Sequence, residues 1–445
     1  MNLKDKNVAV ISLGCDKNRV DTEYMLAEIN SFAHLTDDPF DAEIIIVNTC
    51  AFLESARKES IETIIEFNEY RTAGKLEKLV VTGCLPQRFI GEIFDSLTEA
   101  DVFLGFKDYD LLEDALQESY STGNRINYVG KKNTLSATDR VVSTPLHYAY
   151  LKIADGCNNH CTYCLIPSIR GKYTSEPMEK LLDEAEKLGD ISELILVAQD
   201  ITRYGIDLYG HSELVTLIKK LSALENIQGI RLLYCYPDMI DDALIDEIAE
   251  NDKVIKYIDI PLQHADDRIL KLMNRPGTRN EYLELINKLK TRVKGIAIRS
   301  TFITGFSGED EEAFLNLKSF LESADLFNAG FFAYSREKGT PAYKLPNVVP
   351  QSVKRARLKE LYSVQSEISR RHLASYKGQV IDVIFDGIDY DKEMFCGRAY
   401  FSAPDIDGKV YFTSEVPVLQ GQKYKVKIKN TDSYDMYGSV IDYET

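Results

Sequence analysis

Twice along this chain of 445 residues, short apolar runs alternate with stretches of helical spacing, and that rhythm admits few folds. In the first 115 residues the apolar runs are NVAVISL (7–13), EIIIVNT (43–49), LVVTG (79–83) and DVFLG (101–105), each the size of a strand. Between them, residues 19–32, 54–70 and those from Pro86 onward read as helices, as the spacing of Ile61, Ile64 and Ile65 illustrates. Such alternation predicts a parallel sheet joined by right-handed crossovers. A second series begins at 148 with YAYLKIA (148–154), LILVAQ (194–199), GIRLLYCY (229–236), YIDIPLQ (257–263), IAIRSTFIT (296–304) and AGFFAYS (329–335). Six βα units predict a partial barrel of parallel strands, short of a closed eightfold one.

After Gly378 the rhythm changes. VIDVIF, CGRAYFSA, KVYFT, YKVKIKN and YGSVIDY follow one another without helices, which predicts a small antiparallel β-barrel of the oligonucleotide-binding type. The fold class is therefore α/β: an N-terminal parallel α/β sheet domain over 5–118, a central partial (β/α)6 barrel over 143–373, and the small barrel over 376–444. Residues 119–142 are polar and turn-rich, with STGN, KKNT and SATD, and read as the linker. Residues 351–376 read as a long helix. Its run of Lys354, Arg355, Arg357, Lys359, Arg370 and Arg371 is expected to be a solvated face.

No run of about 18 apolar residues exists, so no membrane-spanning helix is expected. The apolar start of the chain is short for a secretory signal and lacks a small-residue cleavage site. A cytoplasmic location follows, where cysteines stay reduced and serve metals or catalysis. Lys and Arg total 53 against 70 Asp and Glu, a formal charge of −17. Phosphates demand a cationic surface, so nonspecific nucleic-acid binding is disfavoured and a basic partner suits the chain better. Even the last barrel is acidic, with eight Lys and Arg against twelve Asp and Glu between 377 and 444.

Eight cysteines carry the strongest chemical signal. Cys15, Cys50 and Cys84 each directly follow an N-terminal strand, and their spacing of about one βα unit brings three thiols to one sheet edge. The carboxyl ends of parallel strands are where sites form. In DGCNNHCTYC, Cys157, Cys161 and Cys164 are spaced CxxxCxxC in a loop after a strand. Three thiolates with no fourth cysteine nearby suit a cubane cluster whose fourth iron is open. Zinc would need a fourth ligand, and His160, lying between Cys157 and Cys161, is badly placed to turn inward. Cys235 and Cys396 stand alone in apolar strands and are expected to be buried.

Together with SLGCDKNRVDTE, VNTCAFLESARKESI, VTGCLPQR, AQDITRYG, DIPLQHA and RSTFITGFSGE, the cysteine loop resembles the RimO branch of the radical S-adenosylmethionine methylthiotransferases, over nearly the whole chain. The sister branch, which acts on adenosine in tRNA, usually has GCQMN where this chain has GCDKN. Asp16, Ala51 and Ser307 depart from the usual proline, glycine and proline, and none of them removes a ligand. The resemblance implies a TRAM barrel at the C-terminus and two 4Fe-4S clusters, one on Cys157, Cys161 and Cys164 and one on Cys15, Cys50 and Cys84. It implies that S-adenosylmethionine binds the open iron and is cleaved reductively to a deoxyadenosyl radical. A second S-adenosylmethionine then methylates a sulfur on the N-terminal cluster, and the methylthio group passes to the β-carbon of an aspartate in the small-subunit ribosomal protein twelve. The resemblance implies that the deoxyadenosyl radical first removes a hydrogen from that carbon, whose C–H bond is unactivated and outside the range of a general base, and that the carbon radical captures the methylthio group.

Several positions are expected to form the cofactor pocket. Tyr163 is placed for an apolar contact with adenine, Gln199 and Asp200 for the methionine amino group, and Gln263 for the ribose. Ser300, Thr301, Gly305 and Phe306 lie along the fifth barrel strand and its loop. Arg170 and Arg231 are further candidates, although surface ion pairs explain them nearly as well. The expected partners are the basic ribosomal protein, an electron donor of flavodoxin or ferredoxin type, and a sulfur donor, with no membrane. A tRNA methylthiotransferase and a noncatalytic iron–sulfur carrier are the competing readings.

Overall fold

A computed structural model describes residues 3–131 and 139–441. They fall into two compact units, one of residues 1–143, 155–158 and 165–172, the other of residues 144–154, 159–164 and 173–445.

The first unit is built on six parallel strands: β1 (Asn7–Ser12), β2 (His34–Leu35), β3 (Ile44–Thr49), β4 (Lys78–Gly83), β5 (Val102–Phe103) and β6 (Ile126–Asn127). Their order is β2-β1-β3-β4-β5-β6. Every residue of β3 is buried, as expected of a parallel strand covered on both faces. Helices Asp16–Phe32, Glu54–Asn68 and Cys84–Ser96 follow β1, β3 and β4. The third of these starts at Cys84, two residues before the predicted Pro86. Strands β2 and β6 escape the sequence reading because their two residues stand outside any of the apolar runs, whereas the equally short β5 lies within DVFLG. Within the stretch read as linker, residues up to Thr122 finish helix Leu112–Thr122, and Ile126–Asn127 adds the edge strand. The rest of the KKNT and SATD turns, residues 132–138, lies outside the described residues.

In the second unit, β7 (Tyr148–Lys152) opens the second sheet, and the two-residue strands β8 (Ala154–Asp155) and β9 (Thr174–Ser175) flank the CxxxCxxC loop in sequence. The sheet continues with β10 (Glu193–Val197), β11 (Ile230–Leu232), β12 (Val254–Asp259), β13 (Ala297–Thr304) and β14 (Asn328–Ala333). Its order is β14-β13-β12-β11-β10-β7, all parallel and sequential, as six βα units require. The crossover helices start where side chains accept orphan amides: Asp241, Asp266, Thr278 and Asp310 each cap the nitrogen three residues on. Leu194, Leu196, Ile230, Leu232, Ile258 and Phe302 form the centre of one apolar core.

The last strands are β15 (Val380–Asp389), β16 (Met394–Arg398), β17 (Val410–Thr413), β18 (Lys423–Thr431) and β19 (Met436–Val440). They close in the order β15-β16-β17-β19-β18. Four contacts are antiparallel and β17–β19 is parallel, which is how the closure completes. Along β18 the residues Val426 and Ile428 point inward while Lys425, Lys427 and Lys429 point out. Cys235 and Cys396 are both buried. Among the described residues, no helix is long and apolar enough to cross a membrane.

Candidate functional site

In the first unit, the ends of β1, β3 and β4 place one thiol each. Gly14 and Gly83, just ahead of Cys15 and Cys84, adopt φ values of 96° and 94°, which side chains rarely tolerate. Space demands them as well. A Cβ on Gly14 would lie 2.8 Å from Cys50 Cβ and 3.3 Å from its Sγ, and one on Gly83 would lie 2.3 Å from Asn48 Oδ1. Asn18 Nδ2 donates to the carbonyls of Leu13 and Thr49 at 3.0 Å each, so one amide ties the first two cysteine loops together. Its Oδ1 lies 3.8 Å from Cys84 Sγ. Cys50 is held by Ser60, whose hydroxyl accepts from its amide and donates to its carbonyl.

Electrostatics couple the three thiols. Burial pushes Cys84 up to about 12, Arg170 opposes that rise, and ionised Cys15 and Cys50 would add to it. Burial also raises Cys50, with Cys15 contributing in the same direction. A thiol as buried as Cys84 stays protonated unless a cation joins it. Three thiol donors without a competing carboxylate or imidazole suit an iron–sulfur cluster. Among the described residues, no three His, Cys, Asp or Glu side chains gather around a single ion's position. A cubane spreads its cysteines wider than one ion does.

Arg170 is no surface residue. It is 2% exposed, donates to Asp155, Asn18 and Asp21 at 2.8, 2.6 and 2.9 Å, and lies 3.8 Å from Cys84 Sγ. Phe106 lies under its guanidinium at 4.7 Å. Arg231 is buried too, paired with Glu193 and donating to the Tyr400 carbonyl. The ion pairs expected of both arginines are thus buried rather than at the surface, and Asp21 and Glu193 reach them from 149 and 38 residues away.

The CxxxCxxC loop is pinned along its length. Gly156 has φ 74°, and a Cβ there would lie 2.2 Å from the Lys172 carbonyl oxygen. The next amide, of Cys157, donates to Gly171 at 3.2 Å. In the second unit Thr162 donates its amide to Met273 and its hydroxyl to Leu272, and the Cys164 amide donates to Cys161. His160 has φ 49° and an exposed side chain, so it does not turn inward as a ligand. Cys161 is 9% exposed, with Tyr236 Oη 3.3 Å and Arg275 Nη1 3.9 Å from its sulfur. Neither neighbour was singled out from the sequence, because nothing in the local spacing around YCYPD or MNRPG marks them.

The expected pocket residues sort by what they already hold. Tyr163 packs against the cluster of Ile269, Met273, Phe306, Tyr334 and Ala342, and burial drives its phenol well up. Asp200 is engaged: it caps Thr202, accepts from Asn159 in the cysteine loop at 3.0 Å and from Arg203 at 3.1 Å. Burial raises it despite those bonds. Gln199 sits beside it, half-buried, just past the end of β10. Gln263 takes φ 72° and exchanges backbone hydrogen bonds with Thr301 and Ile303. Ser300 spends its hydroxyl on the Ile260 carbonyl and the Leu262 amide, so it braces the backbone. Thr301 accepts from Arg299 at 3.2 Å, and Phe306 is fully buried against Tyr334 at 4.7 Å.

Gly305 has φ 73°, its amide donates to Glu309 at 2.8 Å, and a Cβ would meet Lys354 Cγ at 2.4 Å. Glu309 also accepts from Thr304, His264 and Arg357. Burial works against its charge, but the bond from His264 and the charge of Arg357 hold it below the usual carboxylate range. The helix expected to present a solvated basic face therefore does so only in part. Lys354 and Arg357 turn inward, Lys354 donating to the Tyr334 carbonyl just past β14 and Arg357 to Glu309 in the loop after β13.

Comparison with known proteins agrees with this arrangement. Residues 151–321 match the Radical SAM superfamily, residues 378–441 the TRAM domain, and residues 7–105 a family described as uncharacterized protein family UPF0004. The chain is 46% identical over 449 residues to the ribosomal protein uS12 methylthiotransferase RimO of Acetivibrio thermocellus, covering 98% of this chain and 99% of that one. It is 44% identical to the protein of the same name from Clostridium tetani, covering 97% and 98%. The radical S-adenosylmethionine methyltransferase TsrM from Kitasatospora setae, solved with cobalamin and a 4Fe-4S cluster, shares the fold at a TM-score of 0.56 and 15% identity, covering 76% of this chain and 77% of that one. The cofactors of this chain are accordingly an iron–sulfur cluster and S-adenosylmethionine. By its cysteine loops, its three matched regions and its full-length relatives, the chain belongs to the RimO family of radical S-adenosylmethionine methylthiotransferases.

Proposed function

We propose that this enzyme places a methylthio group on the β-carbon of an aspartate in the small-subunit ribosomal protein twelve, with two 4Fe-4S clusters and two molecules of S-adenosylmethionine. The observation that carries the reading is full-length relatedness to curated proteins whose names specify uS12. The charge of −17 suits a basic protein substrate, because complementary charge speeds encounter and selects partners. A cytoplasmic enzyme, with a flavodoxin- or ferredoxin-type reductant and a separate sulfur donor, completes the reading. Its domains run over 5–118, 143–373 and 376–444, with 119–142 as linker.

Cys157, Cys161 and Cys164 would hold one cluster, and Cys15, Cys50 and Cys84 the other. With the cofactors bound, the chemistry supplied is one-electron cleavage of a carbon–sulfur bond at the first triad and delivery of sulfur at the second. What the chain itself does is orient and shield. Tyr163 offers adenine an apolar face, and Gln199 faces the methionine amino group. Asp200 positions the cysteine loop through Asn159 and closes the same side of the pocket. Gln263 presents its side chain from a constrained backbone toward the ribose. Ser300 and Thr301 set the edge along β13, Gly305 lets the backbone approach, and Phe306 excludes water.

The test gives reconstituted enzyme, S-adenosylmethionine, sulfide and reductant both substrates at once. Peptide mass spectrometry is expected to show one methylthio increment on an aspartate of the ribosomal protein. An increment confined to tRNA would overturn the proposal in favour of adenosine modification.

A further inference from the structure

Five arginines are buried among the described residues: Arg170, Arg231, Arg275, Arg357 and Arg398. Four of them meet carboxylates. Arg170 pairs with Asp21 and Asp155, Arg231 with Glu193, Arg357 with Glu309 and Glu311, and Arg398 with Glu193 and Asp386. A buried guanidinium cannot shed its proton, and an unpaired buried charge is costly, so the pairing is what physics requires.

Arg275 is the exception. It is 7% exposed and belongs to no ion pair among the described residues. Its Nη2 donates to the Pro261 carbonyl, its guanidinium lies 4.0 Å over the Tyr236 ring, and Nη1 reaches to 3.9 Å from Cys161 Sγ. Its Nε finds no acceptor. Tyr236, on which it stacks, brings its own hydroxyl to 3.3 Å from the same sulfur. One cysteine sulfur therefore receives a full positive charge and a phenol, and all three residues are buried. The missing anion is the thiolate, and with it the cluster.

We infer that Arg275 is the built-in counter-charge of the radical-SAM cluster, acting with Tyr236 on the Cys161 sulfur to raise the reduction potential of that cluster. The inference rests on Cys161 being a cluster ligand. The potential of an iron–sulfur cluster is set by net charge, hydrogen bonds to sulfur and exposure to solvent. Adding an electron increases negative charge in a shielded site, and a fixed cation nearby favours the reduced state. Arg275 touches a ligand sulfur rather than S-adenosylmethionine, so it is a positioning residue. Its effect is to bring a difficult reduction within reach of the donor.

The test isolates one cluster by working in the full-length Cys15→Ala, Cys50→Ala, Cys84→Ala chain, reconstituted with iron and sulfide. Its midpoint potential is read by redox titration with electron paramagnetic resonance, without S-adenosylmethionine. Arg275→Gln is expected to shift the midpoint to more negative values, about tenfold in the reduction equilibrium or about 59 mV for one electron. Arg275→Lys keeps the charge and is expected to recover most of that shift. Tyr236→Phe removes only the hydroxyl and is expected to move the midpoint the same way by less. A fully loaded Arg275→Gln or Tyr236→Phe cluster titrating at the parent's midpoint would overturn the inference. If Arg275→Gln fails to load, the Lys and Phe variants decide it by the same reading. Failure of the parent background itself to hold a cluster would instead remove the ligand assignment of Cys161.

Discussion

Six cysteines in two triads ask for a division of labour that single residues can reveal. Replacing Cys157, Cys161 and Cys164 by Ala is expected to abolish 5′-deoxyadenosine formation with dithionite and S-adenosylmethionine. Replacing Cys15, Cys50 and Cys84 is expected to retain it while losing sulfur insertion; chromatography of the nucleoside products checks the first readout and peptide mass spectrometry the second. Equal behaviour of the two variants would end the division. The triads were legible because spacing is local information: three residues each follow a strand, and three share one loop. Their surroundings were not. Arg170 meets Asn18 and Asp21 across 152 and 149 residues of sequence, and Arg275 meets Cys161 across 114. A cation at such a distance from its partner looks like any surface arginine until the chain is folded. Asp200 and Ser300 add bonds of the same kind, since each of these expected pocket residues also holds neighbouring protein groups that no spacing reveals.

Among the elements, the turn after β13 shows how a helix far along the chain holds a glycine loop in place. Glu309 gathers the Gly305 amide, Thr304, His264 and Arg357, and helix Gln351–Ala374 supplies the last of these. Because the folded carboxyl titrates below its ordinary value, its stabilisation is complete above the unfolded value and is lost as pH falls through the folded one. Glu309→Gln is expected to lower the urea midpoint at neutral pH, by about 3 kcal/mol for a broken buried pair. It is also expected to flatten the acid limb of the stability profile, which equilibrium unfolding over a pH series checks. Strands of five or more residues in the two parallel sheets were legible from their apolar runs. The two-residue strands β2 and β6 were not, nor was the inward turn of Lys354 and Arg357, since a basic run on a helix says nothing about which rung meets a buried acid.

Over the second unit as a whole, buried charges fasten the C-terminal barrel to the starts of the parallel strands. Glu193, first in β10, takes both Arg231 and Arg398, and Asp386 joins Arg398 to His147. Nearby, Asp407 accepts from Tyr257 at 2.7 Å and pairs with Arg299, while Asn328 donates to the Phe401 carbonyl. Burial alone would raise Glu193, but the guanidiniums of Arg231 and Arg398 outweigh it and hold the carboxyl at about 2, from an ordinary 4.5. Its contribution is therefore complete above about pH 4.5 and fades as pH falls toward 2. Glu193→Gln leaves Arg231 without its anion and Arg398 with Asp386 alone, and is expected to cost about 3–5 kcal/mol at neutral pH, with the barrel losing protection first in hydrogen exchange. The barrel's existence was plain from its helix-free sequence, whereas its anchorage depends on residues such as Glu193 and Arg398, 205 positions apart. This anchorage also sets a length. The barrel sits at the amino ends of the parallel strands, and Gln199 and Gln263 stand past the carboxyl ends of β10 and β12, which are five and six residues long. At about 3.3 Å per residue, that separates grip from chemistry by roughly 17–20 Å. The scaffold is thus a fixed-gauge caliper, and a partner that touches both jaws has to span that gap.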